Sequence, residues 1–147
     1  MPRVDQVAYI DTSVWCAYCF NETEMPGAAQ WLAQASLDEA ATGAWTRTEF
    51  ASAAAIKRRV KGQSKAAVTL AEKAFDAAMA MTPCLNVVED DFLYAAELCR
   101  TSETGLRAGD ALHLAVALRH NCHWLASLDQ AMNASARKLG LKLVKFD

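Results

Sequence analysis

Short apolar runs that stop on an acid or a turn residue alternate with longer, helix-patterned segments along the whole chain. This alternation restricts the fold more than any other feature, because strands separated by helices must be joined by crossovers, which argues for a parallel sheet covered by helices on both faces. The first run, Val7-Ala8-Tyr9-Ile10, ends at Asp11-Thr12-Ser13. Thr12 and Ser13 are good N-caps, so a strand closing on Asp11 and a short helix over 13–20 are expected. A turn over 21–26 and a helix over 27–37 follow. Residues 39–43 read as a strand, because a capping Thr46 and a helical pattern over 47–60 come next. Ser64 caps a further helix to about Met81, making a helical hairpin.

Pro83 ends that hairpin, residues 84–88 form a plausible strand, and Glu89, Asp90 and Asp91 suit the opening of a helix to about Ser102. Residues 103–107 read as a loop. Gly109 and Asp110 open a helix to about Asn121, a strand over 123–128 ends at Asp129, and a helix over 130–139 stops at Gly140. Residues 142–146 alternate like an edge strand. At 147 residues with 53% hydrophobic content, and with no repeat, linker or shift in composition, the chain is expected to be one α/β domain over 1–147.

Composition excludes some classes of function. No apolar run is long enough to span a membrane, and residues 1–6 lack the apolar segment of a signal peptide, so a cytoplasmic protein is expected. Five irregularly spaced cysteines fit reduced thiols rather than a disulfide framework. A net charge of −2 gives no overall attraction to nucleic acid, so phosphate contacts would have to come from local basic residues.

Four acids stand out on this frame. Asp11 and Asp129 each end a strand, where the crevice of an open parallel sheet lies. Glu49 heads a helical stripe with Ala53, Ile56 and Val60, and Asp110 heads one with Leu114, Ala117 and Leu118. Each acid alone could cap a helix or complement its dipole, although Thr12, Ser13, Thr46 and Thr48 would already serve two of those helices. If the four converge, their mutual repulsion calls for a divalent cation, and hard carboxylate oxygens select Mg²⁺ or Mn²⁺.

The order and context of these acids resemble the PIN domains, in particular the VapC-like toxin ribonucleases of bacterial toxin–antitoxin pairs. The matching stretches are Tyr9-Ile10-Asp11-Thr12-Ser13, Thr46-Arg47-Thr48-Glu49-Phe50, Arg107-Ala108-Gly109-Asp110-Ala111-Leu112-His113-Leu114-Ala115 and Ser127-Leu128-Asp129. The resemblance covers nearly the whole chain. It implies an α/β/α sandwich around a central, mainly parallel sheet of about five strands, with Asp11 and Asp129 brought together on neighbouring strands. It also implies a divalent-metal-dependent endoribonuclease toxin that cuts a structured RNA such as tRNA or rRNA, with Asp11, Glu49, Asp110 and Asp129 as metal ligands and Thr12 and Ser127 orienting them. A cognate antitoxin and a homodimer are the partners implied. The competing reading is a PIN-like module that binds RNA or protein without cutting.

Other features carry less. Cys16 and Cys19 beside Trp15 mimic a redox pair, but Cys16 falls inside the expected helix, away from the N-terminus that would activate it. A zinc site joining them to His120, Cys122 and His123 has nothing to bring its members together. His113, three residues after Asp110, reads as a packed histidine more readily than as a ligand-orienting one. Lys57, Arg58, Arg59 and Lys61 suit the C-terminus of their helix. The alternative role, gripping RNA phosphates, falls to this same run or to Arg47 and Arg107, close in sequence to Glu49 and Asp110.

Overall fold

Alternation of side chains along two short strands divides the core in two. A computed structural model describes residues 7–60 and 62–146, so Lys61 of the basic run lies outside the described residues. Strand β1 (Ala8–Ile10) pairs in parallel with β4 (Trp124–Ala126), Tyr9 opposite Leu125 and Ile10 opposite Ala126. Successive strand residues face opposite sides. Accordingly Tyr9 and Leu125 join one cluster, whereas Ile10 and Ala126 join the other.

The first cluster is covered by α5 (Glu89–Thr101), α6 (Ala108–Arg119) and α7 (Gln130–Lys138); the second by α1 (Thr12–Cys19), α2 (Pro26–Gln34), α3 (Trp45–Arg59) and α4 (Lys65–Ala80). Helix α6 is buried on all sides from Ala111 to Ala117, as its near-continuous apolar sequence requires. Its far end is clamped to α5: both carboxylate oxygens of buried Asp91 accept from Arg119, at 2.8 and 3.0 Å, and one also accepts from Val88 N. In the second cluster Phe50 and Phe75 stack with ring centroids 3.9 Å apart, and Trp15 meets Phe75 edge-on.

The sheet differs from the expectation in one respect. Among the described residues all strand pairs are parallel, but the five strands form two groups, β1-β4-β5 and β2-β3, with β2 (Thr42–Gly43), β3 (Cys84–Leu85) and β5 (Lys142–Leu143) two residues long. A single bridge joins the groups, Ile10 N donating to Ala41 O at 2.8 Å and Ala41 N to Ala8 O at 2.9 Å. The contact stays this short because the chain leaves a 3-10 turn (Leu37–Glu39) just before Ala41 and turns at Ala44 into α3. That turn also takes up the start of the strand expected over 39–43, and α2 begins one residue earlier than expected, on Pro26, whose missing N–H costs nothing at the first helical position.

Two capping expectations are corrected. Asp11 itself caps α1, accepting from Val14 N at 3.3 Å, while Thr12 is already the first helical residue. Helix α3 begins at Trp45 without a side-chain cap. Thr46 is buried and shares a hydrogen bond with Thr42, which in turn donates to Ile10 O at 2.7 Å, so these hydroxyls lock β2 and α3 to β1 rather than capping.

Candidate active site

Each of the four acids is delivered by a different element to the carboxyl-end side of β1 and β4. The strand register puts Asp11 next to Ser127, with Asp11 N donating to Ala126 O at 3.1 Å. Asp11 is buried, and both of its oxygens accept hydrogen bonds: Oδ1 from Ser13 Oγ at 2.6 Å and from Val14 N, and Oδ2 from Ser127 Oγ at 2.5 Å. Burial pushes its pKa up, against the pull of these hydrogen bonds. Ser127 also accepts from Asp129 N at 3.0 Å, and Ser13 accepts from Leu128 N at 3.0 Å. The chain after β4 is therefore laced to Asp11. Asp129 caps α7, accepting from Met132 N at 2.7 Å.

Glu49 comes one turn after Thr46, at the site-facing end of α3. It does not head a covered stripe as expected: Ile56 and Val60 are exposed, and the buried positions are Thr46, Phe50 and Ala54. The helix is rotated because the aromatic stack claims Phe50, leaving Glu49 half-buried at the margin. Its Oε1 accepts from Thr12 Oγ1 at 2.6 Å and from His113 Nε2. Burial opposes its charge, but the hydrogen bonds from His113 and Thr12 outweigh this and hold its pKa below the usual value. His113 is fully buried, and its Nδ1 meets the Tyr9 hydroxyl at 2.6 Å.

Asp110 lies in the first turn of α6, half-buried, and among the described residues no hydrogen bond reaches its carboxylate. Its pKa is pushed up to about 6, first by burial and then by the negative charges of Asp129 and Asp11, with a smaller push from Glu49 and an opposing pull from His113. The four acids thus share one electrostatic environment. Gly109 permits the close approach of α6 to α3: a Cβ there would stand 2.8 Å from Glu49 Oε2 and 3.2 Å from Trp45 Nε1.

The donor set matches a hard divalent cation in chemistry, with several carboxylates in mutual repulsion and one of them free of internal donors. It is not a preformed coordination shell. Among the described residues no group of three or more His, Cys, Asp or Glu side chains is arranged to hold a metal ion. Burial pushes the Cys16 and Cys19 thiols up to about 12, which keeps them protonated and unreactive.

The remaining candidates are surface groups. Arg47 and Arg107 are exposed, and neither forms an ion pair among the described residues. Lys57 pairs with Glu22 and lies over the Phe20 ring, and Arg58 pairs with Glu72, so this part of the basic run ties α3 to its neighbours. Sequence reasoning overlooked Tyr9 and Gly109 as parts of the site. For Gly109 the signal was its place beside Asp110 at a helix start; nothing local announced Tyr9.

Comparison with known proteins agrees with this fold. No curated protein sequence matches the chain. Among solved structures it is similar to Mycobacterium tuberculosis VapC20, a sarcin-ricin loop cleaving toxin, with a TM-score of 0.67 and 22% identity over 87% of this chain and 94% of that one. It is also similar to FitAcB from Neisseria gonorrhoeae, with a TM-score of 0.69 and 17% identity over 95% and 97% of the two chains. VapBC2 from Rickettsia felis, bound to a DNA fragment from its promoter, gives 0.64 and 13% over 97% and 100%. At these identities the likeness is one of fold. The family model of the PIN domain matches residues 8–138, from the first residue of β1 to the last of α7, and the chain belongs to that family.

Proposed function

We propose that this protein is a divalent-cation-dependent endoribonuclease, the toxin of a toxin–antitoxin pair, acting in the cytoplasm on a structured RNA such as tRNA or rRNA. The observation that carries the reading is the gathering of the four acids from separate elements: Ser127 bonds both Asp11 Oδ2 and Asp129 N, Thr12 next to Asp11 bonds Glu49, and Gly109 next to Asp110 packs against Glu49 Oε2. Structural neighbours described as a sarcin-ricin loop cleaving toxin and as VapBC-type assemblies support the substrate class and the antitoxin partner. A homodimer is proposed from the resemblance to the VapC-like toxins. No helix among the described residues is long and apolar enough to cross a membrane.

Asp11, Asp110 and Asp129 would hold Mg²⁺ or Mn²⁺, with Glu49 a ligand directly or through water. Bound there, the cation supplies Lewis-acid charge that makes water a nucleophile at neutral pH and neutralises charge developing on the phosphodiester. The chain's own residues do the positioning. Ser13 and Ser127 fix both oxygens of Asp11, Thr12 fixes Oε1 of Glu49, and exposed Arg47 and Arg107 would contact RNA phosphates as the chain lies across the site.

A second reading, a module that binds RNA or protein without cutting, is favoured by the engagement of three of the acids in internal hydrogen bonds. The two part in one experiment. Purified protein is incubated with structured RNA in Mg²⁺, in Mn²⁺ and in EDTA. Cleavage with either metal and none in EDTA is expected; binding without cleavage in all three supports the module, and cleavage that persists in EDTA contradicts the metal-dependent mechanism.

A further inference from the structure

One run of side-chain contacts in the site leads away from the acids into the core. Tyr9 Oη meets His113 Nδ1 at 2.6 Å, His113 Nε2 meets Glu49 Oε1, and Thr12 Oγ1 reaches the same oxygen at 2.6 Å and His113 Nε2 at 3.3 Å. An ionised carboxylate only accepts, so His113 Nε2 donates to Glu49, while Nδ1 on the other side of the ring shares a hydrogen bond with the Tyr9 hydroxyl. Both Tyr9 and His113 are fully buried. Tyr9 is anchored in β1, the strand that also carries Asp11, and its ring meets the His113 ring edge-on, centroids 5.5 Å apart. Gly43 leaves the room the hydroxyl needs, since any Cβ there would collide with it.

The consequence falls on one oxygen. Oε1 of Glu49 is committed to His113 and Thr12, whereas Oε2 faces the start of α6 beside Gly109, the residue before Asp110. A Glu side chain on an exposed helix start would sample several rotamers, and this one is fixed by two donors and a glycine cradle. We infer that His113, braced by Tyr9, is a positioning residue of the centre, pinning Oε1 of Glu49 so that Oε2 is the oxygen left for the cation. This rests on the four acids being a cation site.

The test is calorimetric titration of the full chain with Mn²⁺. His113→Met should weaken Mn²⁺ binding about tenfold or more, the usual scale for losing a group that orients a ligand. His113→Gln, whose amide nitrogen keeps a donor near the Nε2 position, should restore most of it. Tyr9→Phe, which removes a single oxygen, should give a smaller loss and keeps the test meaningful if His113→Met fails to fold. Because His113 acts through Glu49, adding His113→Met to Glu49→Ala should cost nothing further. Wild-type affinity in His113→Met and Tyr9→Phe, or losses that add to that of Glu49→Ala, would overturn the inference while leaving the cation site standing. Failure of the wild-type chain to take up Mn²⁺ would overturn both.

Discussion

Asp110→Asn is expected to make the metal-free protein more stable and to abolish its RNA cleavage. The carboxyl of Asp110 titrates at about 6 in the folded chain against an ordinary 3.8. A raised folded pKa means that the native state holds a proton the unfolded chain has already lost, so stability falls as pH rises through the window from about 4 to about 6. At pH 7 the folded protein carries the whole of that penalty, and Asn removes it. Discounted for partial solvent screening, the gain is about 1–2 kcal/mol in EDTA at pH 7, shrinking to nothing near pH 4. Urea melts at the two pH values measure it. Cleavage should drop by about 10³-fold or more, the scale of removing a preorganised electrostatic contact from the transition state. If Asp110 served only the dipole of α6, the same substitution would lower stability at pH 7 by a few tenths of a kcal/mol and leave cleavage intact.

Gly109→Ala separates packing from chemistry in the same way. Gly109 lies in helix α6 with no need for an unusual backbone angle, so alanine suits its conformation and should add up to about 1 kcal/mol of helix stability. Its methyl, however, would sit 2.8 Å from Glu49 Oε2. The end of a glutamate side chain can give way cheaply, and because Oε1 is tethered to His113 and Thr12, the carboxylate must turn out of position to do so. Cleavage should fall by about 10²-fold, as expected when a contributing group is misplaced by about an ångström, with thermal stability unchanged or raised. Loss of stability together with activity would point to a backbone shift instead.

Both substitutions are expected to spare or improve the fold and to harm the site, which is what a site held for function at a cost in stability implies. The same tension explains what the sequence did and did not disclose. The helices were legible because apolar spacing is a local property: Ser64 caps α4 and Gly140 follows α7, as the pattern required. Asp11, Asp110 and Asp129 were legible as element ends for the same reason. Strand lengths were not, since Ala41 pairs over a single bridge whose extent depends on the preceding 3-10 turn.

The capping hydroxyls were misread for a different reason. In sequence Ser13 reads as a cap and Thr12 both as a cap and as a residue orienting a ligand; Asp11 takes the capping position, and the two hydroxyls bind the carboxylates of Asp11 and Glu49. That exchange depends on β4 and α3 arriving beside β1, which no local window contains. Tyr9 and His113, 104 residues apart, meet because α6 packs on the face of β1 to which Tyr9 points. Glu49 was placed on a covered stripe by counting residues, whereas the stacking of Phe50 on Phe75 turns that stripe outward and leaves the carboxylate at the surface of the crevice.

The central claim is that Asp11, Glu49, Asp110 and Asp129 act as one cation-holding centre. The most direct measurement is an anomalous difference map from crystals of the protein soaked in Mn²⁺. A peak bounded by these four carboxylates is predicted, with Asp110 among its ligands. A map with Mn²⁺ bound elsewhere on the chain and no peak between the four would contradict it.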